Sequence, residues 1–271
     1  MTSPEQIVCK ATPWFTLRAA AMLAMFGLFS VLFYIDGTTG YRKKNLEYYV
    51  HATFSQAGQI FSEKNKEGTL SASEWQEFAE KQTVKLPEAS LLPADTELPM
   101  PWPAILTDFE KMKPLQSHLL WQEYSGENGM NVKPAEKAFD AGKIRAQIIV
   151  FWICLSLFLI TLFFLIRTLG RSLKADDQAL TVHGKRIPYM EMTTLDLRKW
   201  DTKGIALIDH ASPSGSGRVR IDGLTYGGFK KEKDEPAERL MRKIRDNFSG
   251  ELIEYTTGED EEKTTESNEN V

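Results

Sequence analysis

Three aspartates, Asp196, Asp209 and Asp222, lie in segments rich in β-branched and apolar residues, where neighbouring strands could converge them into a catalytic cluster. The competing reading is that such residues end strands and anchor turns, and that is the expectation here. The four histidines, His51, His118, His183 and His210, are far apart and form neither an H-E-x-x-H pair nor a Cys/His ligand spacing. The serines of SPSGSG, residues 212–217, stand between glycines without the strand-to-helix elbow that a nucleophilic serine needs. A G-x-x-x-x-G-K-[ST] phosphate loop is missing, and the glycines of GLTYGGFKK are not followed directly by a helix whose amides could face a phosphate. No catalytic constellation is legible, so the expectation is a protein that is not an enzyme.

A different chemistry is suggested by EKNKEGTLSASEW, Glu63–Trp75, which resembles an EF-hand loop. With Gly68 as the turn glycine, Glu63, Asn65, Glu67, Ser71 and Glu74 fall on loop positions one, three, five, nine and twelve, and Leu70 on the apolar eighth. The resemblance implies a Ca2+ site, the one cofactor that the sequence suggests. Two departures weigh against it: Glu63 stands where the shorter Asp normally reaches the ion, and no partner hand is visible. The same residues read as a helix start, with Ser71-Ala72-Ser73-Glu74 as a capping box and Gly68 supplying a turn. The capping box is the expectation, with calcium bound weakly.

These residues belong to a chain organised around two uncharged apolar runs, Ala19–Ile35 between Arg18 and Asp36, and Ala146–Ile166 between Arg145 and Arg167. At about 1.5 Å per residue the second covers roughly 30 Å of hydrocarbon, and the first, near the short end of the spanning range, can be extended by Arg18 reaching toward the headgroups. Both are expected to be transmembrane helices. A cleaved signal peptide is the alternative for the first run, but FYIDGTTG lacks a small-residue cleavage pattern. A buried core helix is the alternative for the second, but helices of soluble domains need a polar face. Flanking cations nearly cancel, with Lys10 and Arg18 before the first run and Arg42, Lys43 and Lys44 after it, and Lys143 and Arg145 before the second and Arg167, Arg171 and Lys174 after it. The loop between the runs exceeds the length of about 60 residues over which positive charge governs orientation. The short segment before the first run, the lack of an evident signal peptide and the cysteine-free loop place both termini in the cytoplasm of a multi-pass inner-membrane protein.

An α+β membrane protein is therefore expected. Residues 1–18 form a cytoplasmic tail, 19–35 and 146–166 the transmembrane helices, and 36–145 a mostly helical, proline-rich extracytoplasmic domain. Residues 167–255 form a β module with a closing helix, and 256–271 a disordered acidic tail, since EDEEKTTESNE offers no large apolar side chain to bury. The net charge of −4 does not suggest nucleic acid. Cys9 and Cys154 leave neither extramembrane part a disulfide of its own. Between the spans, Leu46, Val50, Phe54, Ala57 and Phe61 recur at helical spacing. Pro87, Pro93, Pro99, Pro101 and Pro103 then impose an extended segment whose Leu92 and Trp102 suggest packing, followed by short helices around Ile105–Met112 and Pro114–Tyr124.

Beyond the second span, Ala179–His183, Thr193–Leu197, Gly204–Asp209 and RVRID read as strands, and Pro236–Phe248 as a helix with Leu240, Ile244 and Phe248 on one face. In ALTVHGKRIPYMEMTTLDLRKWDTKG and AERLMRKIRDNF this part resembles the bacterial pleckstrin-homology-like domain, which implies a small bent sheet plugged by a helix. In WPAILTDFE, RKWDTKG and RIDGLTYGGFKK the whole chain resembles a group of two-span bacterial membrane proteins, a likeness that carries over no catalytic residue. Lys174, Lys185, Arg186, Arg198, Lys199, Lys203, Arg218, Arg220, Lys230 and Lys231 could hold the module against an anionic bilayer, and pleckstrin-like domains bind phosphoinositides through a basic loop where this chain has HGKR. Interleaved acids make a solvated surface the expectation. The function expected is a scaffold, assembly or sensing protein, with the lipid bilayer and protein partners of unknown identity. The alternative is a calcium- or ligand-sensing receptor working through Glu63–Glu74.

Overall fold

The structure is a computed structural model that describes residues 6–213, 215–230 and 233–255. The acidic segment 256–271, expected to be disordered, and Lys231 of the basic set lie outside the described residues. In chain order the elements are β1 (Ile7–Cys9), α1 (Pro13–Ile35), a π-helical turn (Asp36–Gly40), α2 (Tyr41–Lys64), α3 (Ala72–Glu80), α4 (Phe109–Met112), α5 (Ser117–Glu127) and α6 (Ala141–Leu169). After them come β2 (Leu173–Ala175), β3 (Ala179–Val182), β4 (Lys185–Pro188), β5 (Met192–Lys199), α7 (Trp200–Lys203), β6 (Ile205–Ser212), β7 (Gly215–Asp222), α8 (Pro236–Asn247) and β8 (Glu251–Ile253). The chain divides into two compact units, Phe26–Leu157, and Met1–Met25 together with Phe158–Val271. Helices α1 and α6 contain the two apolar runs, are both long and apolar enough to cross a membrane, and each contributes to both units.

In the unit Phe26–Leu157, α1 passes into α2 through the π-helical turn DGTTG. A π turn displaces carbonyls from their regular partners. Here Arg42 collects them, its Nη1 donating to Gly37 O at 2.8 Å and to Thr38 O at 2.5 Å. The absence of a side chain at Gly37 lets α6 approach closely, since a Cβ there would lie 2.6 Å from Ile148 Cδ1. The α2 stripe then buries Val50, Phe54, Ala57 and Phe61. Against it pack Trp75 of α3, whose indole N–H donates to Leu106 O at 3.0 Å, and Trp121 of α5, whose indole donates to Val132 O at 2.9 Å. The proline-rich segment wraps this core, with Val84 N bonded to Met100 O, Trp102 N bonded to Gln82 O, and Leu92 and Trp102 buried. Asn45, also buried, donates to Leu91 O and Phe139 O and accepts from Phe139 N, so one amide ties three segments that are distant in sequence.

The other unit contains two four-stranded sheets, ordered β1-β2-β3-β4 and β7-β6-β5-β8. Alternation along β5 and β6 turns Leu195, Leu197, Ala206 and Ile208 inward. These meet Leu173, Leu180 and Ile187 from the first sheet and Ala237, Leu240, Met241 and Ile244 from α8 in one core. Phe248 follows the helix and packs against the same core while partly buried. A buried Trp200 indole donates to Glu238 Oε1 of α8 at 2.9 Å, so the closing helix is fixed by a polar contact as well as by its stripe. Since Ile244 is completely buried, Ile244→Asp would place an unpaired charge in the core, a cost of at least about 3 kcal/mol. Thermal unfolding of the full chain in detergent should show the transition of this unit lost or lowered by more than about 10 °C.

Candidate functional site

Residues that sequence periodicity does not mark as structured tie the two apolar helices together. β1 pairs antiparallel with β2 in the register Ile7↔Ala175, Val8↔Lys174 and Cys9↔Leu173. Four residues after Cys9, α1 begins with Pro13 behind Thr12, whose hydroxyl accepts from Phe15 N at 3.3 Å and donates to Leu224 O at 3.0 Å. The Thr12 amide donates to Thr225 O at 2.8 Å, and Gly227 N donates to Lys10 O at 3.0 Å. Gly227 adopts φ +86°, and a Cβ on it would lie 2.9 Å from Cys9 Sγ. The turn at residues 224–227 is thus moulded to the entering chain. Burial pushes the Cys9 thiol up to about 12, offset in part by Arg239, so this cysteine is a protonated packing group and not a nucleophile.

The three aspartates do not gather. Asp196 and Asp209 share the outer face of the second sheet, along a groove of about 320 Å3 that also exposes Leu207, Ile253 and Tyr255. Asp222 lines a separate crevice with Tyr226 and His183. Each carboxylate is held by an arginine: Asp196 by Arg198 at 3.0 and 2.8 Å, Asp209 by Arg218 across the strand pair at 2.6 and 2.7 Å, and Asp222 by Arg220 at 3.0 Å. The bonds from Arg198 bring the Asp196 carboxyl down to about 2, and those from Arg218 lower that of Asp209. Carboxylates paired in this way present a polar, recognisable surface. The remaining basic positions of the module include Arg186, which binds Asp176 at 2.6 Å, and Lys185, whose Nζ lies 3.1 Å from His210 Nε2.

Of the five ligand candidates in the Glu63–Glu74 segment, the structure brings Ser71 and Glu74 together. Glu63 closes α2, Asn65 caps its C-terminus and Gly68 turns at φ +70°. Ser71 then caps α3: its hydroxyl accepts from Glu74 N at 3.3 Å, while Glu74 Oε2 accepts from Ser71 N at 2.9 Å and from the Ser71 hydroxyl at 2.6 Å. Those bonds hold the Glu74 carboxyl below its ordinary range. Among the described residues no group of three or more His, Cys, Asp or Glu side chains is arranged to hold a metal ion. The histidines stay apart, His51 edge-on to Trp121 at 5.1 Å and His183 in the hairpin between β3 and β4 at φ +52°.

No family model matches the chain, and comparison with curated proteins and with solved structures likewise finds no match. The β1 junction was within reach of sequence reasoning at one point: Thr12-Pro13 is a cap followed by proline at the first helical position.

Three expectations follow. The folded-state carboxyl of Asp196 lies near 2, below the unfolded value of about 3.9, so its stabilisation is complete above about pH 4 and is lost as pH falls through 2. Asp196→Asn should therefore flatten the pH dependence of stability between about pH 4 and 2, as read from acid unfolding followed by circular dichroism. Ser71→Ala should lower the stability of the helical domain by about 1 kcal/mol. Calorimetric titration of the full chain should give calcium dissociation weaker than about 10⁻³ M.

Proposed function

We propose that this chain is a two-span protein of a bacterial inner membrane with both termini in the cytoplasm, joining a helical domain outside to a pleckstrin-like module inside. In this reading it works without catalysis, as a scaffold, assembly or sensing protein that engages protein partners. The observation that carries the proposal is the pairing of β1 with β2. Strands that share a sheet must lie on one side of a bilayer, and residues 7–9 and 173–175 are separated by the two helices able to cross one. An even number of crossings satisfies that requirement. The outward-facing Leu159, Phe163 and Ile166 of α6 also suit a lipid environment better than water. The outer face of the second sheet, with Arg198, Arg218 and the exposed Tyr255 around apolar Leu207 and Ile253, has the mixed character of a protein-recognition surface. Calcium sensing through Glu63–Glu74 is the weaker reading, because the Glu74 carboxylate is engaged in capping α3.

Single-cysteine labelling tests the arrangement. A membrane-impermeant maleimide applied to intact cells should modify Ser73→Cys and leave Lys203→Cys untouched until the membrane is opened. Labelling of Lys203→Cys alone in intact cells would reverse the topology, and immediate labelling of both in extracts with no sedimenting membrane fraction would remove the membrane from the reading.

A further inference from the structure

At the rim of the module's core a lysine from one sheet meets a histidine from the other. The alternation that turns Ala206 and Ile208 of β6 inward continues to His210, which is 5% exposed. Lys185 comes from the first sheet as the opening residue of β4, paired with Val182 across the hairpin turn at residues 183 and 184. Its Nζ lies 3.1 Å from His210 Nε2. An ammonium donates and does not accept, so the contact requires an unprotonated Nε2 on the imidazole. Among the described residues Lys185 forms no ion pair, whereas the adjacent Arg186 holds Asp176 at 2.6 Å and Lys243 holds Asp177 at 2.6 Å. A carboxylate partner would keep the proton on the amine, but an imidazole can take it. Opposite His210 on β7 stands Gly217, where a Cβ would lie 3.0 Å from His210 Nε2 and 3.8 Å from Lys185 Nζ. The missing side chain leaves the two groups room to meet. They border a crevice of about 480 Å3 that Arg186 and Glu191 also line, within the range of about 300 to 1,000 Å3 of small-molecule sites. A nucleophile with a base in hydrogen-bond reach, beside space for a reactant, is the arrangement that activates side chains for covalent chemistry.

We propose that Lys185 is a site of covalent modification by an activated acyl group, carried as an acyl phosphate or an acyl thioester, with His210 as its general base. His210 Nε2 takes one proton from the ammonium, and the freed electron pair of Nζ attacks the acyl carbonyl carbon. The bond from that carbon to the phosphate oxygen or thioester sulfur then breaks, and the leaving group departs with the electron pair. A second proton passes from Nζ to water as the amide forms, and the proton held by His210 goes to the leaving group. One acyl group is fixed per chain, so the event is a modification and not turnover. It removes the lysine's charge from the contact between the two sheets. The inference goes beyond the scaffold reading and holds whether or not α1 and α6 cross a bilayer.

The full chain in detergent, incubated in separate arms with acetyl phosphate and with acetyl-coenzyme A, tests this when peptide mass spectrometry reads the initial rate at each lysine. Lys199 and Lys203 are exposed lysines of the same module and serve as internal references. A general base in a closed active site contributes about 10² to 10⁴ in rate. At this exposed lysine the advantage over the two references should be at least about tenfold. His210→Gln should bring Lys185 down to the reference rate and leave Lys199 and Lys203 unchanged. Gly217→Ala keeps the imidazole but sets a methyl group against Nε2, and it should slow Lys185 alone by about threefold or more. Thermal unfolding of each variant in parallel shows which are folded, and Gly217→Ala decides the matter if His210→Gln is not. The donor that gives the larger ratio of Lys185 to reference rates identifies which of the two carriers the site takes. A Lys185 rate no higher than the references with both donors, or one that is unchanged in the folded variants, would overturn the proposal and reduce the contact to a structural tie between the sheets.

Discussion

The pairing of a three-residue strand, Ile7–Cys9, with Leu173–Ala175 is the constraint on which the rest of this unit depends. Strand β1 supplies the outer edge of the first sheet and buries Cys9 beside Leu173 and Ala175. It also delivers Thr12 to the turn at residues 224–227, where backbone bonds at 2.8 and 3.0 Å fix the start of α1. The first turn of α1 and the last turns of α6 thereby line one crevice with the sheets. Without β1 the buried Leu173 and Ala175 would lose a wall.

Within that frame, the module separates its two kinds of residue by the period of the strand. Leu195 and Leu197 of β5, Ala206 and Ile208 of β6 and Ile221 of β7 turn inward and share a core with α8, whereas Asp196, Asp209 and Asp222 are each met by an arginine. Pairs of this sort on an exposed face add little stability. Their effect is to give the sheet a fixed pattern of charge around a few apolar side chains, which suits recognition. The helical domain follows the same economy: its buried polar groups, the Trp75 and Trp121 indoles and the Asn45 amide, are spent on backbone carbonyls of the loops, so that segments without regular structure are held by a helix core.

What could be read from the sequence depended on how many residues carry each signal. The apolar runs are long and uninterrupted, the α2 stripe repeats over five positions that are buried or partly buried, and Leu240 and Ile244 recur on α8, so the mixed α and β composition with two apolar helices was legible. The Ser71–Glu74 capping box was legible because its chemistry is local. β1 and β8 were not: three residues are too few to show a period of two, and β8 pairs in parallel with β5 after the helix, a partner that no hairpin signal announces. The π-helical turn was missed because DGTTG resembles an ordinary loop until Arg42 is seen collecting its carbonyls. Sequence treated Asp196, Asp209 and Asp222 as a set, but only register shows that two share a groove while the third turns to a different cavity. Likewise, nothing in the order of residues announces that Phe15, Phe164 and Lys185 line one cleft, since they are brought together by β1.

Hydrogen exchange, followed by mass spectrometry on the full chain in lipid bilayers, tests this dependence most directly. If β1 is an integral strand, the amides of Ile7–Cys9 should exchange as slowly as those of Leu173–Ala175, because the two can open only together. Exchange of the Ile7–Cys9 peptide at the rate of an unstructured segment, while Leu173–Ala175 stays protected, would contradict the account at its root.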